Sequence, residues 1–260
     1  MPNSDGGWAA FDLNNNMLYL NEVPYSDMDS LCDPSTADVT GRILGAFGLM
    51  THAARQEHIA PDLLNRIIAA SERAIAYLAK TQEPTGACYG RWGMNYVDCT
   101  SSALCGLAHF SQDDQLVQDM VTSAILWLKM TQNPDGGWGE GPESYKDPMR
   151  CGCGPSTASQ TAWAVMGLLT YRFPTDEATK KGVAYLVHSQ TDTAGDGASW
   201  PETKYTGTGF PNHFYLGYTL YRHYFPMMAL GRYVEAMRSV DEKQSMSFTY
   251  RRQEDEGEKQ

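Results

Sequence analysis

The sequence predicts an all-α protein, helical hairpins stacked into a curved or closed double layer, on three observations. One unit, an apolar helical run followed by Gln and a Gly-bearing turn closing on Trp, recurs along the chain. Runs rich in Ala and Gly alternate with amphipathic runs that carry polar residues such as Glu72, Arg73 and Lys80 at intervals. No segment shows the period-two alternation of a half-buried strand.

The elements follow in order. DGGW at 5–8 has the form of the tail of one unit. Residues 14–33, with Asn, Asp and Pro, read as a long irregular loop. PSTADVTGRILGAFGLM (34–50), TSSALCGLAHF (100–110) and PSTASQTAWAVMGLLTYRF (155–173) are inner helices, each opened by a Ser or Thr suited to capping. The three complete units are RAIAYLAKTQEPTGACYGRW (73–92), ILWLKMTQNPDGGW (125–138) and GVAYLVHSQTDTAGDGASW (182–200). Their Gln–Trp pairs, Gln82 with Trp92, Gln132 with Trp138 and Gln190 with Trp200, lie 10, 6 and 10 residues apart. A helix ending at Gln leaves carbonyls unpaired, Gly permits the turn that follows, the Gln amide can bond loop backbone, and the indole covers the turn with one N–H to donate. The spacing of Phe214, Tyr218 and Tyr221 at i, i+4 and i+7 predicts one helical face, with Phe210 at the turn before it. A plain core stripe is the competing reading of those rings. Residues 1–238 form the structured part. Residues 239–260 carry ten charges in 22 residues without apolar period and read as a solvated, disordered tail.

Composition narrows the function classes. The 260 residues are 42% hydrophobic, enough for a sizeable core, and 31 acidic against 20 basic residues give a net charge of −11. Nothing in that balance would neutralise nucleic acid. The longest apolar runs fall short of a membrane span, and the N-terminus lacks the basic and apolar regions of a secretion signal, so a cytosolic origin is expected. Of six cysteines only Cys151 and Cys153 are close in sequence, and the six histidines have no metal spacing. Reduced thiols, no metal and no cofactor are expected.

Five stretches carry a family resemblance: DPSTADVTGRILGAFG (33–48), CYGRWGMNY (88–96), QNPDGGWGE (132–140), GPSTASQTAWAVMGLL (154–169) and SWPETKYTGTGFPNHFYLGYTLYRHYFP (199–226). Together they resemble the squalene–hopene cyclases among the triterpene cyclases, over residues 6–238, and the repeats resemble that family's QW motifs. The resemblance implies an incomplete α/α toroid around an apolar cavity. Squalene folds in that cavity, a terminal alkene is protonated, and a carbocation cascade yields a hopanoid. In that family the acid lies in a DxDD motif upstream of the matched region, and no such motif occurs here. By resemblance the chain is therefore the C-terminal part of a cyclase, with no catalytic acid of its own.

The resemblance also assigns residues. Phe210, Phe214, Tyr218 and Tyr221 match aromatics that line the cavity around later cations. Trp92 in GRWG matches a cavity-wall tryptophan and also closes its repeat; Phe11 matches a cavity tyrosine and lacks the phenol. Trp8, Trp138 and Trp200, with Gln82, Gln132 and Gln190, are structural repeat residues, and Trp127 and Trp163 belong to the core. Asp38 and Arg42, at i and i+4, are expected to pair, in service of the acid or of the helix alone. Arg42 and Asp98 stand where the best-known bacterial members have His and Tyr, which alters the acid's support. Expected partners are squalene or a related linear triterpene, a membrane surface on its cytoplasmic side bound peripherally near segment 14–33, and an N-terminal cyclase half, with a homodimer as a further candidate. A non-catalytic isoprenoid-binding or split-cyclase module is the alternative. A protein prenyltransferase subunit is set aside, because its Asp-x-Cys zinc pair is missing.

Overall fold

Side-chain caps and close backbone contacts set the helices. Asp114 and Asp176 accept the backbone N–H of Leu116 and Ala178, opening two outer helices, and Pro61 starts another where its missing N–H costs nothing. The computed structural model describes residues 2–53, 59–110, 113–171, 174–192 and 198–257. It contains α1 (Ala37–Ala53), α2 (Pro61–Thr81), α3 (Asn95–Leu107), α4 (Gln115–Met130), α5 (Ala158–Tyr171), α6 (Glu177–His188) and α7 (Tyr221–Gly257).

Helices α1, α3, α5 and α7 pack side by side as an inner layer, with α2, α4 and α6 outside them. Small residues make the inner layer tight. A Cβ added to Gly41 of α1 would sit 2.9 Å from the Ala103 nitrogen of α3, and Gly106 of α3 meets the backbone of Gly41 in return. The two layers also differ in how they are covered. Helix α5 buries every residue from Ala158 to Leu168, whereas α2 buries one stripe, Ile67, Ala70, Ser71, Ala74, Tyr77 and Leu78.

The repeat turns share one geometry. Gly6, Gly86 and Gly136 have φ of +92°, +93° and +88°, conformations open to glycine. Two residues after each, the backbone N–H of Trp8, Cys88 and Trp138 donates to the hydroxyl of Thr40, Thr100 and Thr161, in each case at 2.9 Å. The Gln82 amide donates to Gly86 O and Met120 O, and Gln132 to Gly136 O and Ala178 O. Cys88, not Trp92, therefore closes the first complete unit: the turn fixes the closing position two residues past its glycine, and Trp92 lies four residues beyond it. The Trp138 and Trp200 indoles each donate to the helix before them, to Leu128 O and Leu186 O at 2.7 Å. Gln190 is exposed, and most of the loop after it, 193–197, lies outside the described residues.

One other expectation is corrected, the helical face shared by Phe214, Tyr218 and Tyr221. Short strands do form: β1 (Thr191–Asp192) pairs with β2 (Ala198–Ser199), and β3 (Gly207–Phe210) with β4 (Phe214–Leu216), both antiparallel. Phe210 and Phe214 face each other across the second hairpin, so Phe214, Tyr218 and Tyr221 share no helical face. Pro211 and Asn212, the latter at φ +73°, turn the chain, and the Thr206 hydroxyl takes the Tyr218 N–H that a helix would have used. At the other end α7 continues to Gly257. Residues 232–256 contain no Gly or Pro, so nothing local stops a helix once packing has started it. Among the described residues no helix is long and apolar enough to cross a membrane.

Candidate functional site

The inner helices enclose a pocket of about 280 Å³ with a charged side and an aromatic side. On the charged side Asp38, in the first turn of α1, is buried and accepts the backbone N–H groups of Arg91 (3.1 Å) and Trp92 (2.9 Å) on one oxygen. The expected Asp38–Arg42 pair is not what forms. Arg42 instead reaches α3, where its Nη2 donates to both Asp98 oxygens at 2.8 and 3.1 Å. The reason is local: the Asp38 carboxylate is engaged by the 91–92 backbone, and Asp98 projects from the adjacent inner helix.

The pair is lopsided. Asp98 is 2% exposed and the Arg42 side chain 53%. Burial pushes the Asp98 carboxyl up against the pull of Arg42, and Asp38 adds to the push. Asp98 in turn holds the Arg42 guanidinium protonated. Arg42 and Asp98 also border a second pocket of about 390 Å³.

The aromatic side centres on Tyr221. Its ring stacks on Tyr218 at 4.8 Å and meets Phe225, Tyr224 and Trp163 edge-on at 5.0, 5.6 and 5.9 Å. Burial pushes the Tyr221 phenol up to about 12. Trp92 joins this wall, with the Arg91 guanidinium 5.3 Å over its ring on one contact and Phe11 edge-on at 5.6 Å on another. Such an arrangement offers ring faces to a cation at one end and fixed charges at the other.

Of the residues singled out in the sequence, Asp38, Arg42, Asp98, Trp92, Tyr218 and Tyr221 meet in this pocket. Phe11 touches it only through Trp92 and is 81% exposed. Phe210 and Phe214 lie on the hairpin outside its wall, Phe214 half exposed. Trp8, Trp138 and Trp200 are buried in the core, as is Trp127. Sequence reasoning passed over Tyr224 and Phe225, which follow Tyr221 at helical spacing, and read Trp163 as core only. It also passed over Glu140, the last residue of QNPDGGWGE: buried, it accepts the Val97 and Asn95 N–H groups at 3.1 and 3.3 Å and so caps α3, while burial pushes its carboxyl up to about 7. The six thiols are unpaired, and no group of three metal-ligating side chains occurs among the described residues.

Comparisons with known proteins give the same outline. Residues 1–235 match the family described as the squalene-hopene cyclase C-terminal domain. The chain is 48% identical to enfumafungin synthase efuA of Hormonema carpetanum, covering 90% of this chain and 19% of that protein. It is 49% identical to squalene hopane cyclase afumA of Aspergillus fumigatus, over 79% of this chain and 31% of the other. To the squalene–hopene cyclase of Alicyclobacillus acidocaldarius it is 42% identical, over 91% and 35%. The chain thus spans about a fifth to a third of the length of these relatives. Among solved structures, ent-copalyl diphosphate synthase from Streptomyces platensis shares the fold, with a TM-score of 0.55 at 20% identity over 76% of this chain and 33% of that one. With its layered inner and outer helices and its repeat turns, the chain belongs to the squalene-hopene cyclase C-terminal domain family, a part of the class II terpene cyclases.

Proposed function

We propose that the chain supplies the C-terminal cavity wall of a triterpene cyclase that folds squalene or a related linear triterpene and closes it to a hopanoid-type product. One observation carries the reading: a ring cluster around Tyr221 with Trp92 shares a pocket with the buried Asp38 and the Arg42–Asp98 pair. Aromatic faces stabilise carbocations by about 0.5–2 kcal/mol each, more when water is excluded. Asp38, Arg42 and Asp98 would support the acid that starts the cascade. Protonating an isolated alkene needs a strong carboxylic acid in a dry site, and the DxDD motif that holds it in this family is not in these 260 residues.

The test joins the chain to an upstream cyclase segment bearing DxDD, covalently or by co-expression, and follows squalene by mass spectrometry. The joined protein is expected to cyclise squalene and the 260 residues alone to leave it unchanged. Turnover by these residues alone would place an acid among them. An inert joined protein would favour the non-catalytic isoprenoid-binding or split-cyclase module. The aromatic wall suits both.

The substrate is insoluble in water, so the working enzyme would draw it from a bilayer, lying peripherally on the cytoplasmic face. Segment 14–33 suits the contact: Leu18, Tyr19, Tyr25 and Met28 are all exposed there. Changing Leu18 and Leu20 to Asp in the joined enzyme is expected to lower its recovery with floated liposomes severalfold. Unchanged flotation would remove this surface from the membrane contact. A homodimer is the further partner the family reading allows, and sedimentation of the joined enzyme would report it.

A further inference from the structure

Residues 90–94 run between the Asp38 carboxylate and the Tyr145 hydroxyl, and both backbone polar groups of the Arg91–Trp92 peptide have partners. On one side its N–H donates to Asp38 at 2.9 Å, beside the Arg91 N–H at 3.1 Å. On the other, the Tyr145 hydroxyl shares its one proton: Gly93 O takes it at 2.5 Å, and the peptide's own carbonyl, Arg91 O, stands farther off at 3.3 Å. The next carbonyl, Trp92 O, accepts from the Thr208 N–H of the hairpin at 3.0 Å. Glycines let the segment through: a Cβ on Gly90 would lie 2.9 Å from Asn95 O, and one on Gly93 would overlap the Asp98 carboxylate. Tyr145 itself is buried behind the segment, with its ring against Tyr89 and Tyr215, and lines none of the pockets described above.

We infer that Tyr145 is a positioning residue for the pocket: its hydroxyl fixes the 91–93 segment, and through that segment the Asp38 carboxylate and the Trp92 ring. The physical link is a hydrogen-bonded chain through three residues: the hydroxyl holds the carbonyls of Gly93 and, more weakly, Arg91, and Asp38 takes the Arg91 and Trp92 N–H groups. Polarisation along such a chain strengthens each bond, and peptide planarity fixes the angle between them. Without the hydroxyl, Gly93 O loses its donor and Arg91 O its weaker share, the 91–93 segment is free to tilt, and the Asp38 carboxylate loses its aim. Glu140 braces the same region from below. It caps α3, whose first residue, Asn95, bonds the Gly90 N–H and the Ser144 hydroxyl beside Tyr145. This inference rests on the cyclase reading for its catalytic consequence, but its structural half can be judged without it.

The test uses Tyr145→Phe, which removes one oxygen and keeps the ring. In the 260-residue chain, amide hydrogen exchange at Arg91 and Trp92 is expected to rise about tenfold or more, with α3 and α5 amides unchanged. In the joined cyclase, kcat is expected to fall about tenfold with KM little altered, because Tyr145 touches no substrate. Tyr145→Phe added to Asp38→Asn should then cost no further activity, since both act on one link. Unchanged exchange at residues 91 and 92 overturns the inference, as does full additivity of the two substitutions or an undiminished kcat alongside faster exchange. If the joined cyclase is inert with Tyr145 in place, the cyclase reading fails while the exchange result still decides the structural half. Site-specific 3-fluorotyrosine at position 145 keeps the ring and makes its hydroxyl a stronger donor: exchange at Arg91 and Trp92 should slow about twofold or more, and no change there overturns the inference even where Tyr145→Phe does not fold.

Discussion

Replacing Trp138 with Ala is expected to lower the unfolding free energy by about 3–5 kcal/mol, the range for truncating a fully buried aromatic residue. The ring is completely enclosed, its indole N–H is spent on Leu128 O, and it fills the space that Gly182 leaves on α6, where a Cβ would lie 2.8 Å from it. Truncation therefore removes packing, takes the shorter of two bonds from Leu128 O, which keeps the Thr131 hydroxyl at 3.2 Å, and loosens the turn that leads into α5. Trp92→Ala is the informative companion. That ring is half-buried, and its turn is closed by Cys88, so its loss should cost only about 1–2 kcal/mol of the transfer energy of partly buried apolar surface. Urea unfolding of both variants decides the matter. Equal costs would return Trp92 to a repeat-closing role and overturn the assignment to Cys88.

The larger functional effect is expected at Tyr221. In the joined cyclase, Tyr221→Ala removes a ring that touches four others, and with it a cation-stabilising face worth up to about 2 kcal/mol in a desolvated site. Each 1.4 kcal/mol is about tenfold in rate, so the later cyclisation steps should slow by roughly 10–30-fold and lose to deprotonation, giving truncated products. Tyr221→Phe keeps the quadrupole and the packing and should stay near the parent product pattern. Phe214→Ala, on the hairpin beyond the pocket wall, should change the products less than Tyr221→Ala. Mass spectrometry of the product mixture reads all three. If Tyr221→Ala matches Tyr221→Phe, cation stabilisation by this ring is ruled out.

The sequence by itself determined the helical class, the alternation of inner and outer helices and the turns after Gln82 and Gln132. These are local properties: Ala- and Gly-rich runs, one-faced amphipathic runs and a glycine at positive φ are written in consecutive residues. It also marked Asp38, Arg42, Asp98, Trp92, Tyr218 and Tyr221, through motifs that keep their spacing. What it could not determine was who meets whom. Arg42 has a carboxylate at i−4 and another 56 residues away, and only the packing of α1 on α3 selects Asp98. Phe214, Tyr218 and Tyr221 have helical spacing, yet the Pro211–Asn212 turn and the Thr206 hydroxyl, which bonds the N–H of a residue twelve positions on, impose a hairpin. Tyr145 looks like an ordinary buried tyrosine until the 90–94 segment is laid across it. Spacing encodes what one element can present, and the partner is chosen by contacts between elements distant in the chain, where burial raises the cost of any polar group left unpaired.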